Sequence, residues 1–257
     1  MTDKPTEPTA ARPRPSWQEP VVIALAIVLL TIVYYHGRPN TLPAEVNLFT
    51  WKNTTFYLPT HWHRGLFKAL GLHSTHQQKL FNWFGVNFLL LFCVPALVIR
   101  LGFKRRLAEF GWQWGAGQVW GKYFLGFLVV VVPVVIVSSR WPSFQDYYSS
   151  QLWAGQSLGA FVLFAAGWLV YFFAWEFFFR GFLLFGLARS LGQLAIFIQM
   201  VPFVMMHFRK PEMESYAAII AGIALGLMAY RGKSWVGCWL LHWVIAVVMY
   251  TAVIALA

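Results

Sequence analysis

Glu176 and Arg180 stand four residues apart in AWEFFFRGFLLFG, residues 174–186, a run otherwise made of Phe, Trp, Leu, Ala and Gly. Glu176 is the only acidic residue in a strongly apolar segment of the chain. A charge near the middle of a membrane helix costs about 2.5 to 3.5 kcal/mol on insertion scales. Residues four apart share a helical face, so carboxylate and guanidinium can meet. One reading is an ion pair that lets both charges survive in lipid; the other is half of an active site. Two histidines fall in later apolar runs, His207 at the end of FVMMH and His242 within LLHWVIA. A carboxylate and two imidazoles facing one cavity can activate a water, share its proton and stabilise an oxyanion. They can equally hold a divalent metal such as zinc with one position open for water. A proton or ion relay is a third use of Glu and His inside a membrane.

The elements that must position these groups are membrane spans. Of 257 residues, 59% are hydrophobic and 11% charged, against about 25% charged in soluble domains. The composition predicts an all-α, polytopic membrane protein of about seven transmembrane helices. The spans expected are 20–35, 84–101, 123–138 (with Pro133 as a kink), 157–187, 190–207, 215–230 and 235–257. Each is near the roughly 20 residues that cross the hydrocarbon. The organisation expected is a disordered tail at 1–19, two amino-terminal spans with a long loop at 20–104, and a core at 105–257.

The net charge of +11 would suggest nucleic acid in a soluble chain. Here the cations fall mostly in short loops between spans, so membrane orientation accounts for them and no nucleic-acid partner is expected. Their distribution predicts an amino terminus in the cytoplasm, and the lack of an organelle signal leans towards a bacterial plasma membrane. Cys93 and Cys238 each lie in an apolar run and read as free thiols. The long loop at 36–82 holds His36, His61, His63, His73 and His76, and its HWHRGLFKALGL reads as an interfacial helix. Polar aromatics at a headgroup boundary explain these histidines better than a metal, since no carboxylate or cysteine completes a set. Gly222 with Gly226, and Gly181 with Gly186, suit close helix packing.

Counted from one membrane face at 1.5 Å per residue, Glu176 lies about 20 Å deep, His207 about 24 Å and His242 about 12 Å. All three fall in the bilayer core, at depths that tilt can reconcile.

WEFFFRG with Glu176 and Arg180, FVMMH with Phe203 and His207, and His242 in LLHWVIA together resemble the CAAX protease and bacteriocin-processing family of membrane proteins. The family's motifs are Glu-Glu-x-x-x-Arg, Phe-x-x-x-His, and His followed four residues later by Asn or another residue. Their order and intervening spans match over about residues 105–250, with RLAEFGWQWG resembling the segment ahead of the core. The resemblance implies an intramembrane endopeptidase in which glutamate and histidine activate water and the third motif stabilises the oxyanion. It implies a membrane-anchored or prenylated peptide or protein substrate reached from the lipid bilayer. On that pattern Glu176 is the base, His207 its partner, His242 the oxyanion or metal group, and Arg180 the structural counter-ion. Two positions depart from it: Trp175 stands at the first glutamate, and Ala246 at the asparagine. These departures motivate the alternative of a catalytically silent relative that binds a membrane peptide as an immunity or scaffold factor.

Overall fold

A computed structural model describes residues 17–36, 46–51, 54–58, 69–72 and 74–257. His61, His63, His73 and residues 61–68 of the interfacial helix expected at 61–72 lie outside the described residues, as does the tail up to residue 16. Helix α1 is Gln18–His36, so Gln18 and Glu19 already belong to the first span. The long loop contributes a two-stranded antiparallel hairpin, β1 (Val46–Trp51) with β2 (Thr54–Leu58), with Val46 opposite Leu58 and Trp51 opposite Thr54. Alternating Thr, Phe, Tyr and Trp suit strands, but neither strand was expected.

Helix α2 starts at a capping box, in which Ser74 Oγ accepts from the Gln77 amide and Gln77 Oε1 from the Ser74 amide, both at 3.1 Å. It continues from Thr75–Phe88 through Leu89–Cys93, Val94–Leu97 and Val98–Gly102, with π-helical turns on both sides of Pro95. A proline cannot donate to the helical ladder, and a change of hydrogen-bond register around it follows. Helix α3 is Gly117–Ser138 and includes Pro133; α4 is Pro142–Tyr148. Helix α5 starts at the Ser157 cap, which accepts from Ala160 N at 3.1 Å. It runs unbroken through Leu158–Glu176, the π-helical Phe177–Phe185 and Gly186–Leu191. Helices α6 (Leu194–Met205), α7 (Glu212–Gly232) and α8 (Val236–Ile254) complete the chain.

Six helices among the described residues are long and apolar enough to cross a membrane. The expected fifth span, 190–207, is instead the short α6, whose 12 residues cover about 18 Å. The helix stops at Met205, and His207 sits in the turn beyond it. The chain is thus an all-α polytopic membrane protein apart from its hairpin.

Helix α5 is the centre of the molecule, with Phe177, Phe178, Phe179, Arg180, Phe182 and Leu184 wholly buried. Gly167 lets α2 approach it, because a Cβ there would stand 2.6 Å from the Phe84 ring. Trp83 fills the adjoining space, stacked on Tyr171 at 4.4 Å. Helix α8 is fixed to α5 by two indoles one turn apart: Trp239 Nε1 donates to the Leu169 carbonyl and Trp243 Nε1 to that of Ala165, both at 2.8 Å. Helix α7 meets α6 along Gly222 and Gly226, where added Cβ atoms would strike Met200 and Ile196. Gln199 crosses that seam and donates to the Gly222 carbonyl at 2.8 Å. The small-residue face expected on the sixth span therefore packs a helix, as expected of such faces.

Candidate active site

Three elements converge on Glu176. It is the last α-helical residue of α5 before the π-helical stretch begins. Such widened turns recur at functional sites. Arg180 lies one turn on, and its Nη1 stands 3.1 Å from Glu176 Oε1 and 3.0 Å from Oε2. Both side chains are wholly buried. The guanidinium also lies over the Phe203 ring of α6, 4.1 Å from its centroid, which favours the cation through the face of the ring. Arg180 Nε and Nη2 have no hydrogen-bond partner among the described residues.

His242 reaches the same carboxylate from α8, with Nδ1 2.6 Å from Glu176 Oε1. A carboxylate accepts, so Nδ1 carries the proton and the neutral ring keeps its lone pair on Nε2. The imidazole is stacked on Phe172 at 4.1 Å, and 16% of the side chain is exposed. Glu176 thus lies sealed behind a histidine that is itself partly exposed.

His207 is placed differently. It sits in the turn after α6, and its Nδ1 donates to the Phe203 carbonyl at 2.8 Å. The turn is tied to α7: the Lys210 amide and Ser215 Oγ both donate to the His207 carbonyl, at 3.0 and 2.9 Å. Beside it, Lys210 pairs with Glu214 at 2.6 Å, and Tyr148 of α4 donates to the same carboxylate at 2.6 Å. Burial, followed by the charge on Glu214, pushes the Tyr148 phenol well above its usual range, so it remains a donor. Non-helical backbone within a membrane protein persists only where such partners satisfy it.

The sequence pattern paired Glu176 with His207, but the carboxylate goes to His242 and Arg180. The residue facing His207 is Trp175, whose ring meets the imidazole edge-on at 6.2 Å. Trp175 also packs on Phe179 and Tyr171, and its indole Nε1 is buried with no partner among the described residues. Successive helical residues point about 100° apart, so the position before Glu176 faces the second histidine. Phe203 separates the roles of the two imidazoles, with its ring 4.7 Å from His207 and 6.2 Å from His242. Ala246, one turn beyond His242, packs against the core and offers no side-chain donor.

Glu176, His207 and His242 do not form the metal-ligand set that the sequence allowed. Among the described residues, no three His, Cys, Asp or Glu side chains gather as ligands. The reason is local: the guanidinium occupies one side of the carboxylate, and the His207 ring is turned to the carbonyl of its own helix. His76, the one described histidine of the long loop with a side-chain partner, meets Gln151 Nε2 at 3.1 Å. Cys93 and Cys238 are free thiols. The indoles of Trp239 and Trp243, which set α8 against α5, were not singled out from the sequence; their four-residue spacing on one face was the available signal.

Residues 157–248 match the family described as type II CAAX prenyl endopeptidase Rce1-like. The chain matches no curated protein and no solved structure. The matched stretch begins at the cap of α5 and ends within α8, and so takes in Glu176, Arg180, His207 and His242. Over that stretch the chain is similar to the CAAX prenyl endopeptidase family of membrane proteins.

Proposed function

We propose that this protein is an intramembrane endopeptidase in which His242, held by Glu176, activates the water. The observation that carries the reading is the 2.6 Å contact between His242 Nδ1 and Glu176 Oε1. The carboxylate fixes the tautomer and orientation of the ring, and steadies the imidazolium that forms. His242 Nε2 takes a proton from water as the oxygen bonds to the carbonyl carbon of the peptide. The same proton then passes to the departing nitrogen as the carbon–nitrogen bond breaks. Arg180 is the counter-ion to Glu176 in an apolar interior. The indole N–H of Trp175 supplies to the developing oxyanion the hydrogen bond that Ala246 cannot give. The substrate class follows the family: a membrane-anchored or prenylated peptide or protein, entering from the bilayer of the cell membrane.

A second reading rests on the same tryptophan. Trp175 occupies the place facing His207 where the family carries its first glutamate, and so removes the usual base. On that reading the protein binds a membrane peptide without cutting it.

Cleavage of prenylated carboxyl-terminal peptides and of membrane-anchored peptides by the purified protein in lipid separates the two. The protease reading expects cleavage by the native chain, loss in His242→Ala, and a kcat lower by about 10² to 10³ in Trp175→Phe. An inert native chain that gains cleavage in Trp175→Glu would establish the silent reading instead.

A further inference from the structure

Helices α3 and α7 are joined at one end and open along their length. The Ala116 amide donates to the Gly232 carbonyl at 2.8 Å, tying the start of α3 to the end of α7. Beyond that tie the helices part around a groove of about 720 Å³. Its inner wall is apolar, formed by Gly126, Phe127 and Val131 of α3 and Ile220 of α7. Its outer end is polar, with Lys122 and Tyr123 in the lining. Arg231, in the last turn of α7, donates to the Tyr123 hydroxyl and brings a second cation to the same end.

Two features identify an occupant. The first is charge. No Asp or Glu occurs between residues 110 and 145, or after Glu214. Lys122 and Arg231 take part in none of the ion pairs among the described residues, so this end offers its positive charge to an anion. The second is shape. From Lys122 to Val131 along α3 is about 14 Å, close to the roughly 15 Å of one leaflet's hydrocarbon. The floor is opened by Gly126, where an added Cβ would meet nothing within 4 Å.

We infer that this groove binds an anionic glycerophospholipid, with its phosphate at Lys122 and Arg231 and one acyl chain laid along Gly126 between α3 and α7. The cations select the headgroup, and the gap left by glycine seats the chain. The site is separate from Glu176, His207 and His242, and the inference holds whether or not the protein cuts peptides.

The test is lipid retention by the full-length protein, counted by native mass spectrometry after exchange into detergent. The probes are phosphatidylglycerol and phosphatidylcholine with identical acyl chains. The native chain is expected to keep phosphatidylglycerol about tenfold or more over phosphatidylcholine. Lys122→Gln with Arg231→Gln should erase that preference, and Lys122→Arg should preserve it. Gly126→Leu fills the open floor and favours the helix, so it should lower retention of both lipids while leaving thermal unfolding unharmed. Equal retention of the two lipids by the native chain would overturn the inference, leaving only unselective boundary lipid. So would full retention by a folded Gly126→Leu protein.

Discussion

Glu176 and His242, 66 positions apart in the chain, share a 2.6 Å hydrogen bond between Oε1 and Nδ1. The same carboxylate meets Arg180 from the next turn of its own helix. One anion is therefore held by a permanent cation and by a titratable ring, with no exposure of its own. The arrangement serves both readings of the buried charge: Arg180 is its counter-ion in an apolar interior, and His242 is the group through which the proposed mechanism uses it.

Breaking the buried pair on one side should be worse than removing it whole. Arg180→Leu leaves a carboxylate in an apolar interior and should cost about 3–5 kcal/mol. Arg180→Leu with Glu176→Leu should cost less than Arg180→Leu alone, since no unpaired charge remains. Denaturant unfolding of the single and double variants in one detergent checks this. A double variant less stable than Arg180→Leu would show that the pair acts through packing rather than charge.

The turn that carries His207 should tolerate a loss of precision before a loss of fold. Ser215 Oγ holds the His207 carbonyl at 2.9 Å, and the Lys210 amide holds the same oxygen. Ser215→Ala removes one of the two and should cost about 1 kcal/mol or less. Because His207 packs against Trp175, which the proposed mechanism uses as oxyanion donor, Ser215→Ala should reduce peptide turnover while Tm falls only slightly; Ser215→Thr keeps the hydroxyl and should restore turnover.

Gly111 ends the short 3-10 turn Leu107–Phe110 with φ at +79°. A Cβ there would fall on the Phe185 ring and 3.0 Å from Trp235 Cδ1. Backbone strain and overpacking act together in Gly111→Ala, for about 2 kcal/mol or more. Thermal unfolding in detergent measures it. Gly121→Ala, inside α3 where a Cβ meets nothing within 4 Å, should be neutral or slightly stabilising and serves as the control.

The membrane class and the long helix through Glu176 were legible because apolar length carries them directly. The i,i+4 meeting of Glu176 and Arg180 was legible for the same reason, since helix geometry fixes it. The partner of Glu176 was not. Depth was counted from the end of α5, but that helix extends to Leu191 as one 34-residue unit. Such a helix, about 51 Å long, exceeds the roughly 30 Å hydrocarbon, so counting from its end overstates the depth of Glu176. His242 therefore reaches the carboxylate although the count set them about 8 Å apart. His207 was read as closing a full span, whereas α6 ends at Met205 and leaves it in a turn. Where a short apolar run stops depends on the helix it packs against, here α7 through Gly222 and Gly226, and no local pattern records that.

The alignment of His242 with Glu176 should depend on two tryptophans that bond to neither side chain. Trp239 and Trp243 flank His242 on α8 and donate to carbonyls four residues apart on α5. Each carbonyl has a second lone pair for this purpose, so the indoles lock the register of α8 without taking hydrogen bonds from α5. Losing one bond should cost only about 0.6 to 2 kcal/mol, and Trp239→Phe or Trp243→Phe should fold. Trp239→Phe with Trp243→Phe frees α8 to slide or turn, and a displacement of about 1 Å at a catalytic group can cost 10²-fold in rate. Turnover should therefore fall far more steeply than stability in the double variant, with the loss in kcat rather than KM. The Nδ1 resonance of His242, followed by NMR in labelled protein, should lose the downfield shift of a hydrogen bond to carboxylate. A double variant with that resonance unchanged would show that the Glu176–His242 contact holds the register by itself.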